Sequence, residues 1–91
     1  MNTFHLQIVT PDGLMFDNNA EKVVVRTVAG DVGILANHTD YVSPLSSGTA
    51  KVALEGGETR TAECSGGLIS VRRGIVRIAA DTFEWTEKTH D

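Results

Sequence analysis

Cys64, His38 and Asp40 are the side-chain types of a thiol-dependent active site: a nucleophile, a base and a carboxylate to orient it. Nothing beside Cys64 in the sequence is arranged to lower a thiol pKa. The plainer reading is a small apolar residue closing a strand. His5, His38 and His90 carry donor nitrogens, but their spacing fits no short-range zinc pattern. Gly30-Asp31-Val32-Gly33 has the glycines of a phosphate loop. Such a loop needs a helix start behind it, and Asp31 would repel the anion. Ser65-Gly66-Gly67 lacks the Gly-x-Ser-x-Gly setting of a nucleophile elbow and reads as a corner where backbones approach closely. Arg72-Arg73 reads either as a solvated turn or as a docking charge pair.

The elements that would carry these residues have a period of two. Phe4, Leu6 and Ile8 alternate with polar neighbours and predict a half-buried first strand. Pro11-Asp12-Gly13 predicts a turn, followed by a short return Leu14-Met15-Phe16 and a second turn at Asp17-Asn18-Asn19. Residues 22–28 are rich in β-branched side chains and predict a strand. Ala29-Gly30-Asp31 breaks it, and Ile34-Leu35 is a brief strand or bridge. Pro44 limits pairing around Ser43 to Leu45. Further strands are predicted over 49–54, 59–64, 68–71 and 75–80. Glu55-Gly56-Gly57-Glu58 and Arg72-Arg73-Gly74 are the turns among them. Short strands with turn signals about every 8–12 residues predict an all-β fold, a sandwich or barrel. No amphipathic helix with caps is found. Residues 1–82 form the predicted domain, and 83–91 a polar C-terminal tail.

Ninety-one residues with an apolar fraction of 41% suit one ordinary globular domain. The net charge of -4, with scattered Lys and Arg, argues against nucleic acid and against anchoring on anionic lipid. One cysteine forms no internal disulfide, which suits a reducing compartment. The start Met1 to His5 does not read as a signal peptide, and no run approaches the length of a membrane span.

Three segments in order carry a resemblance. The first is Phe4-His5-Leu6-Gln7-Ile8-Val9-Thr10-Pro11-Asp12-Gly13 with Phe16. The second is Gly30-Asp31-Val32-Gly33-Ile34-Leu35-Ala36-Asn37-His38-Thr39, followed by Leu45 and Gly48. The third is Ser65-Gly66-Gly67-Leu68-Ile69-Ser70-Val71, followed by Val76, Ile78 and Ala79-Ala80-Asp81-Thr82. Together they resemble the epsilon subunit of bacterial F-type ATP synthases, from Phe4 to Thr82. The resemblance implies a sandwich of two packed, mainly antiparallel sheets. It implies a non-catalytic rotor subunit joining the gamma subunit to the ring of c subunits, and so coupling proton or sodium-ion flow to ATP synthesis. By the same resemblance Gly30, Asp31, Val32 and Gly33 contact the c ring, and His38, Thr39, Tyr41 and Val42 contact gamma. Val32, Tyr41 and Val42 are the expected apolar anchors, with Asp31 on the rim. No cofactor, metal, small-molecule substrate or membrane insertion is implied. The place implied is the cytoplasmic face of the bacterial inner membrane.

Two departures stand out. Ala36 occupies a position where relatives often have proline. The family continues past Ala80-Asp81-Thr82 into two helices that inhibit ATP hydrolysis, whereas this sequence stops at Asp91. A naturally short subunit without that inhibition is the expectation. A small Cys64/His38 enzyme and a free-standing sandwich-fold regulator remain open at this point.

Overall fold

The computed structural model describes residues 2–86, all strands and turns. The strands are β1 (Phe4–Thr10), β2 (Gly13–Thr27), β3 (Gly30–Leu35), β4 (Tyr41–Pro44), β5 (Gly48–Leu54), β6 (Thr59–Ser65), β7 (Leu68–Arg72), β8 (Ile75–Ala79) and β9 (Thr82–Trp85). His90 and the rest of the expected tail from 87 onward lie outside the described residues.

β2 builds the architecture. Its first half pairs with β1, and its second half pairs with β3 on one side and β5 on the other. The first sheet therefore runs β4-β7-β8-β1-β2, and the second runs β3-β2-β5-β6-β9. Every pairing is antiparallel except β1 with β8. Phe4, Leu6, Ile8, Ile69, Val71, Val76 and Ile78 of the first sheet join Val23, Val25, Ile34, Val52, Ala62 and Cys64 of the second in one buried cluster. The inner faces of the two sheets thus pack on each other, as in a sandwich.

A bulge lets one strand serve both sheets. Ala20 pairs with Leu54 and Lys22 with Ala53, so Glu21 is an extra residue. Ala20 and Val23 are three apart, yet both are fully buried. The extra residue resets the inward phase and bends the strand. A second irregularity, between Ile8 and Val9, leaves Met15 unpaired.

Three expectations change here. Asp17-Asn18-Asn19 is not a turn; it lies inside β2, opposite Gln7, Leu6 and His5. It reads as polar because this half of β2 borders its sheet, and the His5 and Asp17 side chains are hydrogen-bonded across the strands there. Gly30 to Leu35 is a full strand paired with residues 22–27, and the chain reverses at Val28-Ala29. Gly30, with φ 115°, supplies the backbone freedom for that reversal. The predicted tail begins as β9, in which Phe83 is buried and Trp85 partly buried. Phe83 and Trp85 meet edge-on at 4.9 Å, and Arg60 sits 3.8 Å above the Trp85 ring. An alternation of only two aromatics in a polar stretch is too short to announce a strand.

The predicted corner at Ser65-Gly66-Gly67 is present. Leu45 N–H donates to the Gly67 carbonyl, which ties the end of β4 into that corner.

Candidate interaction surfaces

The residues expected to touch partners fall at opposite ends of the sandwich. β3 separates the two groups, spanning about 17 Å at roughly 3.4 Å per residue. At the Val28 end lie the β2–β3 reversal, Pro44, Gly48, Gly67 and Thr82. At the other end lie the segment from Ala36 to Asp40 and the turn Arg73-Gly74.

At the Val28 end, Asp31 is exposed on the outer face of the second sheet. Its Oδ1 accepts from Arg26 Nε at 2.8 Å. Gly33 lies on the same outer face, across from Val24. Val32 does not fit its expected role as an exposed anchor. It pairs with the fully buried Val25 and packs against the core, because alternation turns it inward. The apolar side chain that does stand out at this end is Val28, 67% exposed at the reversal. Thr27 fixes that reversal: its hydroxyl donates to the Gly30 carbonyl and accepts from the Ala29 N–H.

At the other end, Asn37 adopts φ 67°, and His38 N–H donates to the Leu35 carbonyl to close a turn. His38 Nδ1 donates to the Thr39 carbonyl at 2.7 Å, and its ring meets Tyr41 edge-on at 5.9 Å. Asp40 Oδ1 accepts from the Arg73 N–H, so the segment is tethered to the β7–β8 turn. Tyr41 faces inward opposite Val71, while Val42 is 60% exposed on the outer face of the first sheet. His38, Thr39, Tyr41 and Val42 therefore form one neighbourhood, with Val42 as its exposed apolar member.

The outer face of the first sheet carries one apolar row. Across the first sheet, Pro44, Leu68, Ala79, Val9 and Leu14 stand opposite one another in register on five adjacent strands. Leu14 and Leu68 are exposed. The next outward row carries exposed Val42 with Ser70, Arg77, Gln7 and Asp17, and Ile75 lies one row further on, between Arg72 and His5. Across the second sheet one row carries Asp31, Arg26, Thr49, Glu63 and Glu84, and the next carries Gly33, Val24, Lys51 and Thr61. Scattered exposed apolar residues need no explanation, whereas apolar side chains aligned across five strands make this row a candidate docking surface. Sequence patterning missed this row because its members sit at non-inward positions of five strands, and only the register lines them up.

The residues of the hypothetical thiol enzyme are not brought together. Cys64 is buried in β6 opposite Gly48 and Phe83, near the Val28 end. His38 and Asp40 lie at the other end and have their own partners. Burial pushes the Cys64 thiol pKa up, and the Asp81 carboxylate adds to the effect. A groove of about 480 Å³ runs past Cys64 between the β1–β2 turn and β9, lined by Asp12, Met15, Glu63 and Phe83 among others. Among the described residues no three His, Cys, Asp or Glu side chains gather as a metal site. Among the described residues no helix is long and apolar enough to cross a membrane.

A family model described as ATP synthase, Delta/Epsilon chain, beta-sandwich domain matches residues 3–86. The chain belongs to this family. The delta/epsilon sandwich match includes β9, which the polar reading of residues 83–86 had left out. Among curated relatives, the ATP synthase epsilon chain of Alkaliphilus oremlandii (strain OhILAs) is 40% identical over 87 residues, covering 96% of this chain and 64% of the relative. That of Alkaliphilus metalliredigens (strain QYMF) is 45% identical over 85 residues, covering 93% and 63%. The chain thus spans a little under two thirds of these relatives. Among solved structures, a chain of the Euglena gracilis mitochondrial ATP synthase, in its OSCP/F1/c-ring assembly, superposes with a TM-score of 0.86 at 27% identity. It covers 91% of this chain and 53% of that one. A chain of the Tetrahymena thermophila mitochondrial ATP synthase central stalk and c ring shares the delta/epsilon sandwich fold, with a TM-score of 0.73 at 15% identity. It covers 87% of this chain and 63% of that one.

Proposed function

We propose that this sandwich is part of the rotor of a bacterial F-type ATP synthase, where it joins the gamma subunit to the c ring. Its work is mechanical: it transmits torque between ion flow and ATP synthesis and performs no chemistry of its own. The complex sits at the membrane, and this subunit lies on the cytoplasmic face, peripheral to the bilayer.

The observation that carries this reading is the row Pro44–Leu68–Ala79–Val9–Leu14, with exposed Val42 on the next row. It is an apolar row on a rigid sheet, and Val42 on the next row leads from it toward Tyr41, Thr39 and His38 at the far end of β4. Gamma docks on this face. A lasting joint needs about 1,200–2,000 Å² of buried surface or more. One outer face of a five-stranded sheet, with its flanking turn, is of the right scale to supply one partner's share. The Val28 end, with Gly30, Asp31 and Gly33, faces the polar loops of the c ring. Membership of the delta/epsilon family supports both assignments. Co-expression with the cognate gamma subunit tests the reading. A complex that survives purification without added cofactor is the expected result, and its absence would sink the proposal.

A further inference from the structure

We infer that the free edge of β9 is a docking site for an extended segment of a partner protein, one in which apolar residues alternate with lysine or arginine. The inference goes beyond the rotor role and does not depend on it.

β9 ends the second sheet, and among the described residues it pairs with β6 alone. Thr86 N–H donates to the Thr61 carbonyl at 3.0 Å. That bond sets the phase of the antiparallel ladder, in which alternate opposite pairs exchange both main-chain bonds. Thr82, Glu84 and Thr86 therefore direct their main-chain groups at β6. The N–H and C=O groups of Phe83 and Trp85 point the other way, to the open side. They are spaced to receive one more antiparallel strand.

The structure leaves room beside this edge. The groove of about 480 Å³ between β9 and the β1–β2 turn has apolar surface from Met15, Cys64 and Phe83. In an added strand, the residues opposite Phe83 and Trp85 share their inward direction. Apolar side chains at those places meet the groove and the Trp85 ring.

The outward side selects a cation. Asp12, Glu63 and Glu84 line the groove, and no Lys or Arg does. Glu63 and Glu84 stand directly opposite each other, a like-charge pair that is destabilising. Glu63 accepts from Thr49 Oγ1 at 3.1 Å, whereas among the described residues the Glu84 carboxylate has no partner. A residue added opposite Glu84 falls at a position without main-chain bonds, where facing side chains are closest. Lys or Arg there relieves the repulsion. Two copies of β9 do not suit each other, because antiparallel pairing sets Glu84 against Thr82 or against another Glu84.

The test titrates the chain with a blocked pentapeptide, Lys-Val-Lys-Val-Lys, and follows the emission of Trp85, the single tryptophan. Saturable binding is expected. Methylating both valine nitrogens, which face β9 in this register, should abolish it, and methylating the central lysine nitrogen should change affinity by no more than about twofold. Glu84→Gln should weaken binding about threefold to tenfold, and Glu84→Lys should transfer the preference to Glu-Val-Glu-Val-Glu. Glu84 is exposed, so both variants should melt as the wild-type chain does. Absence of saturable binding, equal binding of the valine-methylated peptide, or unchanged affinity of Glu84→Lys for the lysine peptide would each overturn the inference.

Discussion

Gly67 and Ala79 are in backbone contact: a Cβ placed on Gly67 would lie 2.0 Å from the Ala79 carbonyl oxygen. Gly67 also has φ 100°, a region closed to most side chains. Two strands, β7 and β8, are held in register from this point, and the Gly67 carbonyl accepts from Leu45 to fix the end of β4. The apolar row on the outer face begins with the residues on either side of it, Pro44 and Leu68.

Gly67→Ala is therefore expected to be among the most damaging single changes in the sandwich. Both steric overlap and backbone strain contribute, so the loss is at least about 2 kcal/mol. Denaturant unfolding measures it. A loss below about 0.5 kcal/mol would show that the corner relaxes freely.

Phe83→Ala tests the ninth strand. Phe83 is 6% exposed, pairs with Cys64 and meets Trp85 edge-on. Its loss should cost about 3–5 kcal/mol. Trp85 is the single tryptophan, so its emission should shift to the red as the strand loosens. An unchanged melting curve and spectrum would mean that residues 82–85 do not hold the fold.

The sequence was most legible where alternation and turn chemistry agreed. Phe4, Leu6 and Ile8 announced β1. Gly56 and Gly57, both at positive φ, announced the β5–β6 hairpin, and Arg73 and Gly74 did the same for β7–β8. Legibility failed where one strand changes sheets. The bulge at Glu21 shifts the inward phase, so the 15-residue β2 reads as two short pieces with a false turn at Asp17–Asn19. The proposed contact surfaces come from two sources. His38, Thr39, Tyr41, Val42 and Asp31 are proposed as contacts through resemblance, whereas the row from Pro44 to Leu14 exists only in the register of five strands. Val32 was misjudged because a β-branched residue beside glycines does not announce which face it takes.

Cys64 predicts a pH dependence with a definite sign. Its folded pKa is raised by burial, and then by Asp81. The neutral thiol is thus favoured in the folded state. This contribution is fully present below the ordinary thiol range and is lost as pH rises through the raised value. Stability of the wild-type chain should fall more steeply on the alkaline side than that of Cys64→Ala. Equal slopes, or fast alkylation of the folded chain near neutral pH, would contradict the burial argument.

Leu68→Ser and Val42→Ser separate docking from folding. Both side chains are exposed, at 44% and 60%. Each change should alter stability by no more than about 0.5 kcal/mol. Each should weaken binding to gamma about tenfold, a cost of roughly 1.4 kcal/mol at the centre of an apolar interface. The same change at Thr61, on the outer face of the second sheet, should leave gamma binding untouched.

The central claim is that the outer face of the first sheet is the seat of gamma. Calorimetric titration of the cognate gamma subunit with the wild-type chain and with the Leu68→Ser, Val42→Ser double variant measures it most directly. The account predicts a one-to-one complex for the wild-type chain, with a negative heat-capacity change from apolar burial, and near loss of binding for the folded double variant. Equal affinity of the two chains for gamma would contradict it.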